Sequence, residues 1–337
     1  MSRTLDHRPR TRVRATGLGL GIAALLALVS IRLFAPPELG AGLSDRVQDF
    51  VTLSVSVVIE SLPFVFLGIL LSIAVQLFLP EDFLVRRMPR SPALRRVVVS
   101  LLGVLLPVCE CGNVPLARGL IKRGLSVGES MTFLLAAPIL NPVTIITTYQ
   151  AFGWDDGILV ARIAGGFVIA NLVGWVYSRH PDPMSLLTRG FAASCAHDAT
   201  ADASSKPRTA ARMFLEETGE MLPALFVGSA IAGLIQVAVS RDVLVTLGQN
   251  PVLSVFALML LAFVISICSN VDAFFVLSFG STFMPGAIVA FLVFGPMIDV
   301  KMLALLRTTF TARTLVQLTA IVALASAAIG LGVNLVA

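Results

Sequence analysis

The chain has 337 residues, of which 56% are hydrophobic and only 13% charged, with a formal net charge of +5. A water-soluble domain carries about a quarter charged residues, so this balance excludes one; repeated apolar runs of about 20 residues specify an all-α polytopic protein in a lipid bilayer. The positive excess then marks cytoplasmic loops, not a nucleic-acid partner.

In chain order, Arg3 to Arg14 carry five arginines and lead into the apolar run 16–35. This unit, residues 1–48, reads as a basic N-terminus and an uncleaved signal-anchor helix, cytoplasmic at its start. Apolar segments follow at 51–79, 97–121, 130–151 and 157–178, and again at 213–239, 252–281, 286–306 and 314–336. Between the two sets, 179–212 mixes charged and small residues and reads as a flexible cytoplasmic linker. It divides a first membrane repeat, 49–178, from a second, 213–337.

The two sets match. Residues 60–76 align with 220–236, pairing Glu60 with Glu220, Pro63 with Pro223, Gly68 with Gly228 and Gln76 with Gln236. Cys111-Gly112-Asn113-Val114 aligns with Cys268-Ser269-Asn270-Val271, and Pro138-x-x-Asn141 with Pro296-x-x-Asp299. Chance likeness between apolar helices yields Leu and Val matches, not Glu, Pro, Gln, Cys and Asn, so the chain reads as a duplication.

Charge tests the topology. Arg86, Arg87, Arg90, Arg95 and Arg96 precede segment 97–121, and Lys122 and Arg123 follow it; both flanks belong in the cytoplasm. Both agree if the segment enters the bilayer, breaks near its middle and returns. Each repeat then has three crossings plus one broken, re-entrant hairpin, and the odd number inverts the second repeat. In the competing topology 97–121 crosses fully, the repeats are parallel, and Lys122 and Arg123 lie outside.

The breaks hold the polar residues. Pro107 and Pro115 disrupt the helical ladder around Cys109-Glu110-Cys111-Gly112-Asn113, freeing backbone groups to bind a substrate inside a protein-lined cavity. The thiols suit thiophilic species, and a mid-membrane carboxyl costs roughly 2.5–3.5 kcal/mol on insertion scales, which asks for a role in binding or coupling. The other reading makes both cysteines small packing residues. Cys268, Ser269, Asn270 and Asp272 form the matching break. A second pair of breaks, Asn141-Pro142 and Pro296-x-x-Asp299, sets an amide and a carboxylate at equivalent positions; the competing reading is a proline kink with Asn141 as cap. Glu60 and Glu220 are candidate proton-coupling carboxyls or caps of the half-helices at Pro63 and Pro223. His7, His180 and His197 lie outside the apolar segments, so an intramembrane histidine site is excluded. No phosphate loop or nucleophile elbow is present, and no cofactor is called for.

At these residues the chain resembles a known family. Pro107-x-Cys109-x-Cys111-Gly112-x-x-Pro115, then Phe133-Leu-Leu-Ala-Ala-Pro138-Ile-Leu-Asn141-Pro142 and Phe291-x-Val-Phe-Gly-Pro296-Met-Ile-Asp299, looks like the predicted permease family that includes the organoarsenical efflux permease ArsP. The resemblance covers roughly residues 50–335 and implies a permease of a bacterial inner membrane, with trivalent organoarsenicals exported by some members. Glu110 and Asn113 depart from many members; the form Cys-Glu-Cys-Gly-Asn-Val-Pro looks like a subgroup not tied to arsenic and thought to work beside a second membrane subunit. The expected function is proton-coupled secondary efflux of a thiophilic small molecule or a metal or metalloid species. The alternatives are a passive pore, or one subunit of a two-component permease.

Overall fold

The computed structural model describes residues 45–78, 87–105, 108–154, 156–197, 206–238, 250–280 and 282–336. The expected N-terminal helix 16–35, its arginines and Pro107 lie outside the described residues.

Thirteen α-helices are described: α1 Asp45–Phe78, α2 Pro92–Leu105, α3 Glu110–Lys122, α4 Val127–Ala136, α5 Pro142–Phe152, α6 Ile158–Ser178, α7 Arg189–His197, α8 Lys206–Ala238, α9 Leu253–Ile265, α10 Asp272–Leu277, α11 Pro285–Met297, α12 Val300–Leu306 and α13 Ala312–Val336. The described residues contain no sheet, only an isolated bridge between Leu187 and Phe310. Five helical stretches among them are long and apolar enough to cross a membrane: Arg46–Phe78, Ile158–Ser178, Lys206–Ala238, Pro285–Leu306 and Ala312–Leu335. Their outer faces carry large apolar side chains: in α13, Val316 is 70% and Leu324 72% exposed, a surface suited to lipid and costly in water. The chain is therefore an all-α, multi-pass membrane protein.

Four of the apolar segments are interrupted, and local chemistry explains where. Asn141 ends the break after α4 by accepting from the Val143 amide, with Pro142 as the first helical residue, the preferred start of a helix. Asp299 does the same for α12, accepting from the Met302 amide at 2.5 Å. Ser266 stops α9 in a left-handed conformation, φ 53° and ψ 42°, leaving its carbonyl outside the helical ladder. Cys109 starts α3 without capping it. Pro63 and Pro223, by contrast, sit inside unbroken α1 and α8.

Helices α1 and α8, the carriers of the aligned Glu-x-x-Pro segments, run antiparallel. Phe66 stacks on Phe214 at 5.8 Å, Lys206 lies over the Phe78 ring, and Gly233 packs on Ser54 and the Phe50 carbonyl. α1 also packs closely on α3, backbone to backbone at Gly68 and Gly112. One end of the bundle is basic and tied together: Arg95 pairs with Glu129 at 2.9 Å, Arg96 reaches Ser178, Lys122 reaches Glu217, and the Tyr177 hydroxyl donates to the Thr314 carbonyl. At the other end Asn334 bonds the Pro251 carbonyl and the Gly286 amide.

The stretch read as a linker is partly helical. Residues 189–197 form α7, whose Phe191 is buried, and α8 starts at Lys206, seven residues before the apolar run. Apolar windows locate the bilayer, not the helix; the charged turn 206–212 continues α8 beyond it, helped by the Arg212–Glu216 pair one turn apart.

Candidate functional site

The two cysteine-bearing breaks meet in the interior. α3 begins at Glu110 and α9 ends at Ile265, so Cys109 and Glu110 face Cys268 and Ser269. Ligand atoms of Cys109, Glu110 and Cys268 lie within 4.8 Å of one another, all buried. Cys111, two residues after Cys109, is wholly buried in the same break. None of the four cysteines forms a disulfide.

Glu110 spans the junction. One of its oxygens receives the Lys301 ammonium at 3.4 Å. The other accepts from the Ser269 hydroxyl at 3.2 Å and amide at 3.5 Å, and from the Cys268 thiol at 3.8 Å. Both charges are 1% exposed. An unpaired charge at this depth would be costly; the pair and its hydrogen bonds make it tenable. Lys301 also donates to the freed Ser266 carbonyl at 3.3 Å.

The second set of breaks supports the first. Asn141 donates to the Val108 carbonyl at 3.3 Å, holding the residue before Cys109. Thr144 reaches Asn270 at 3.3 Å, so α5 touches the opposite break. Asp299, wholly buried, caps α12 with one carboxylate oxygen, and its other oxygen has no partner. Asn113 is wholly buried with neither amide atom bonded. Gly112 gives α3 its close approach to α1, while Pro115 and Pro296 are buried within α3 and α11, and Pro142 is half-buried at the start of α5.

Asp272 holds the break from the far side. Its carboxylate makes a two-pronged pair with Arg162 of α6, at 2.9 and 2.6 Å. Arg162 also reaches Thr148 at 2.8 Å and the Ser269 carbonyl at 3.4 Å.

The two candidate coupling carboxyls lie apart from this cluster. Glu60 is exposed and lines a cavity of about 290 Å³ with Ser56, Gln236 and Ser266, on the half of the bundle away from the basic end. Glu220 sits at the basic end, where Arg118 binds both Glu217, at 2.9 Å, and Glu220. Arg118 further donates to the Thr308 carbonyl and the Thr309 hydroxyl, and lies over the Phe191 ring.

Sequence reasoning passed over Arg118 and Arg162. Each is a lone cation inside an apolar run, a signal as strong as Glu110. Their partners lie 99 and 110 residues away, so no local pattern could pair them.

The site can offer soft thiolate ligation beside a neutralised carboxylate, a combination that favours thiophilic species over hard cations. A family model described as a predicted permease matches residues 46–335. The chain is 35% identical to the UPF0718 protein YcgR of Bacillus subtilis over 261 residues, which is 77% of this chain and 88% of that protein. It is 30% identical over 280 residues to a Streptococcus mutans protein named "Putative two-component membrane permease complex subunit", covering 82% of this chain and 91% of that one. No solved structure matches.

Proposed function

We propose a transport mechanism on one premise: this chain belongs to the predicted permease family. Membership makes it a membrane permease and not a catalytic enzyme. The reading beyond that is secondary transport, in the efflux direction, of a thiophilic small molecule or a metal or metalloid species such as a trivalent organoarsenical, across a bacterial inner membrane. The observation that carries it is the meeting of Cys109 and Cys268 at Glu110.

Inverted repeats fit the geometry. The aligned helices α1 and α8 run antiparallel, and the two ends of segment 92–122 keep company with the same basic end through Arg95 and Lys122. On this reading α2 and α3 form a hairpin entering from the basic, cytoplasmic side, and α9 and α10 one entering from outside. Their tips compose the substrate site. Glu60 supplies the proton path: its cavity runs to Ser266, whose carbonyl bonds the Lys301 that pairs with Glu110. The Arg118 cluster closes the cytoplasmic end.

The test is flux of a trivalent phenylarsenical and of Cd²⁺ into everted vesicles energised by a pH gradient. Cys109→Ser and Cys268→Ser should each reduce flux to the vesicle background, and Glu60→Gln should uncouple it from the gradient. Unchanged flux in both thiol variants would reduce the cysteines to packing residues. A second reading, one subunit of a larger permease complex, is favoured by an apolar groove of about 990 Å³ between α8, α12 and α13, lined by Val227, Ile231, Ala304, Val316 and Ala320, and by the name of the Streptococcus mutans relative.

A further inference from the structure

Lys301 is one of the most deeply buried side chains among the described residues. Its ammonium faces oxygen donors: the Glu110 carboxylate at 3.4 Å and the Ser266 carbonyl at 3.3 Å, with Asp299 two residues before it in the chain. The Ser266 carbonyl is available because α9 ends there in a left-handed turn. One oxygen of Asp299, at zero exposure, has no partner. A freed backbone carbonyl and carboxylates at a helix break are the donor set with which transporters hold an alkali cation. Here one carboxylate and a carbonyl hold one ammonium, and the Asp299 carboxylate with its unpartnered oxygen is borne two residues away.

We propose that this is an alkali-cation site filled from within: Lys301 is a tethered counter-cation that occupies it, and so is the residue that makes transport independent of Na⁺ and K⁺. The ammonium contributes the positive charge that balances Glu110 at this depth, and it cannot leave. A free cation therefore meets a Glu110 carboxylate that is already paired. Removal of the ammonium frees that carboxylate and the Ser266 carbonyl together. The thiols are untouched, because soft ligands discriminate against alkali ions.

The proposal rests on the junction being the transport site, but its readout needs no cargo. Thermal unfolding of the purified full-length protein in detergent is measured in NaCl, KCl and choline chloride at equal ionic strength. Wild type should give one midpoint in all three salts. Lys301→Ala should gain a saturable midpoint rise of about 3 °C in NaCl or KCl over choline, and the added substitution Asp299→Asn should abolish it. Lys301→Gln, which keeps the length and removes the charge, should show the same rise if the alanine variant does not fold. A folded Lys301→Ala or Lys301→Gln with no alkali-specific rise overturns the proposal. So does saturable ²²Na⁺ binding to wild type that Asp299→Asn removes. Failure of the thiol variants to alter flux would instead retire the substrate reading and leave this result standing.

Discussion

Arg162→Met should be among the most damaging single changes in the protein. Arg162 and Asp272 are 1% and 3% exposed, and the guanidinium binds both carboxylate oxygens, the Thr148 hydroxyl and the Ser269 carbonyl. Methionine fills similar space and makes none of these bonds. It leaves a carboxylate with no counter-charge and a carbonyl with one bond fewer. Breaking such a buried pair from one side costs about 3–5 kcal/mol. For a chain of this size that is a fall in melting midpoint of roughly 8 °C. Adding Asp272→Asn removes the stranded charge, so the double variant should recover at least half of the loss. The assay is thermal unfolding of the purified protein in detergent across the double-mutant cycle, which isolates the pairwise coupling. Because Arg162 also holds the Ser269 carbonyl, and Ser269 bonds Glu110, flux should fall in both variants even where stability returns. The reasoning is refuted if Arg162→Met melts within about 1 °C of wild type, or if the double variant is no more stable than the single one.

Two further outcomes test the packing and the topology. A Cβ on Gly68 would lie 2.7 Å from the carbonyl carbon and Cα of Gly112, backbone atoms that cannot swing aside. Gly68→Ala should cost about 1–3 kcal/mol through overpacking and displace α3 from the thiol site, whereas Gly219→Ala, with nothing within 4 Å, should be harmless; equal melting midpoints for the two would sink the close-approach argument. Cysteines placed singly at Arg90 and Arg123 in a cysteine-free background should react with an impermeant maleimide from the same face of the membrane, because α2 and α3 both keep their outer ends with the basic end; labelling from opposite faces would reject the re-entrant hairpin.

What the sequence by itself determined was the solvent and the interruptions. A chain with 56% hydrophobic and 13% charged residues has only lipid to face, and proline, glycine, asparagine and cysteine within apolar runs mark where the helical ladder stops. The breaks at Cys109, Asn141, Cys268 and Asp299 were legible for that reason, since capping and proline chemistry act within three or four residues. The pairing of charges was not. Glu110 meets Lys301 across 191 residues, Arg162 meets Asp272 across 110, and Arg118 meets Glu217 across 99. Nor did the alignment of Glu60 with Glu220 reveal that one lines a cavity and the other joins the Arg118 cluster. Periodicity and hydropathy report how a segment meets its solvent. Which buried charge neutralises which depends on the three-dimensional crossing of helices, and in a low-dielectric interior that pairing determines where a carboxylate can remain at all.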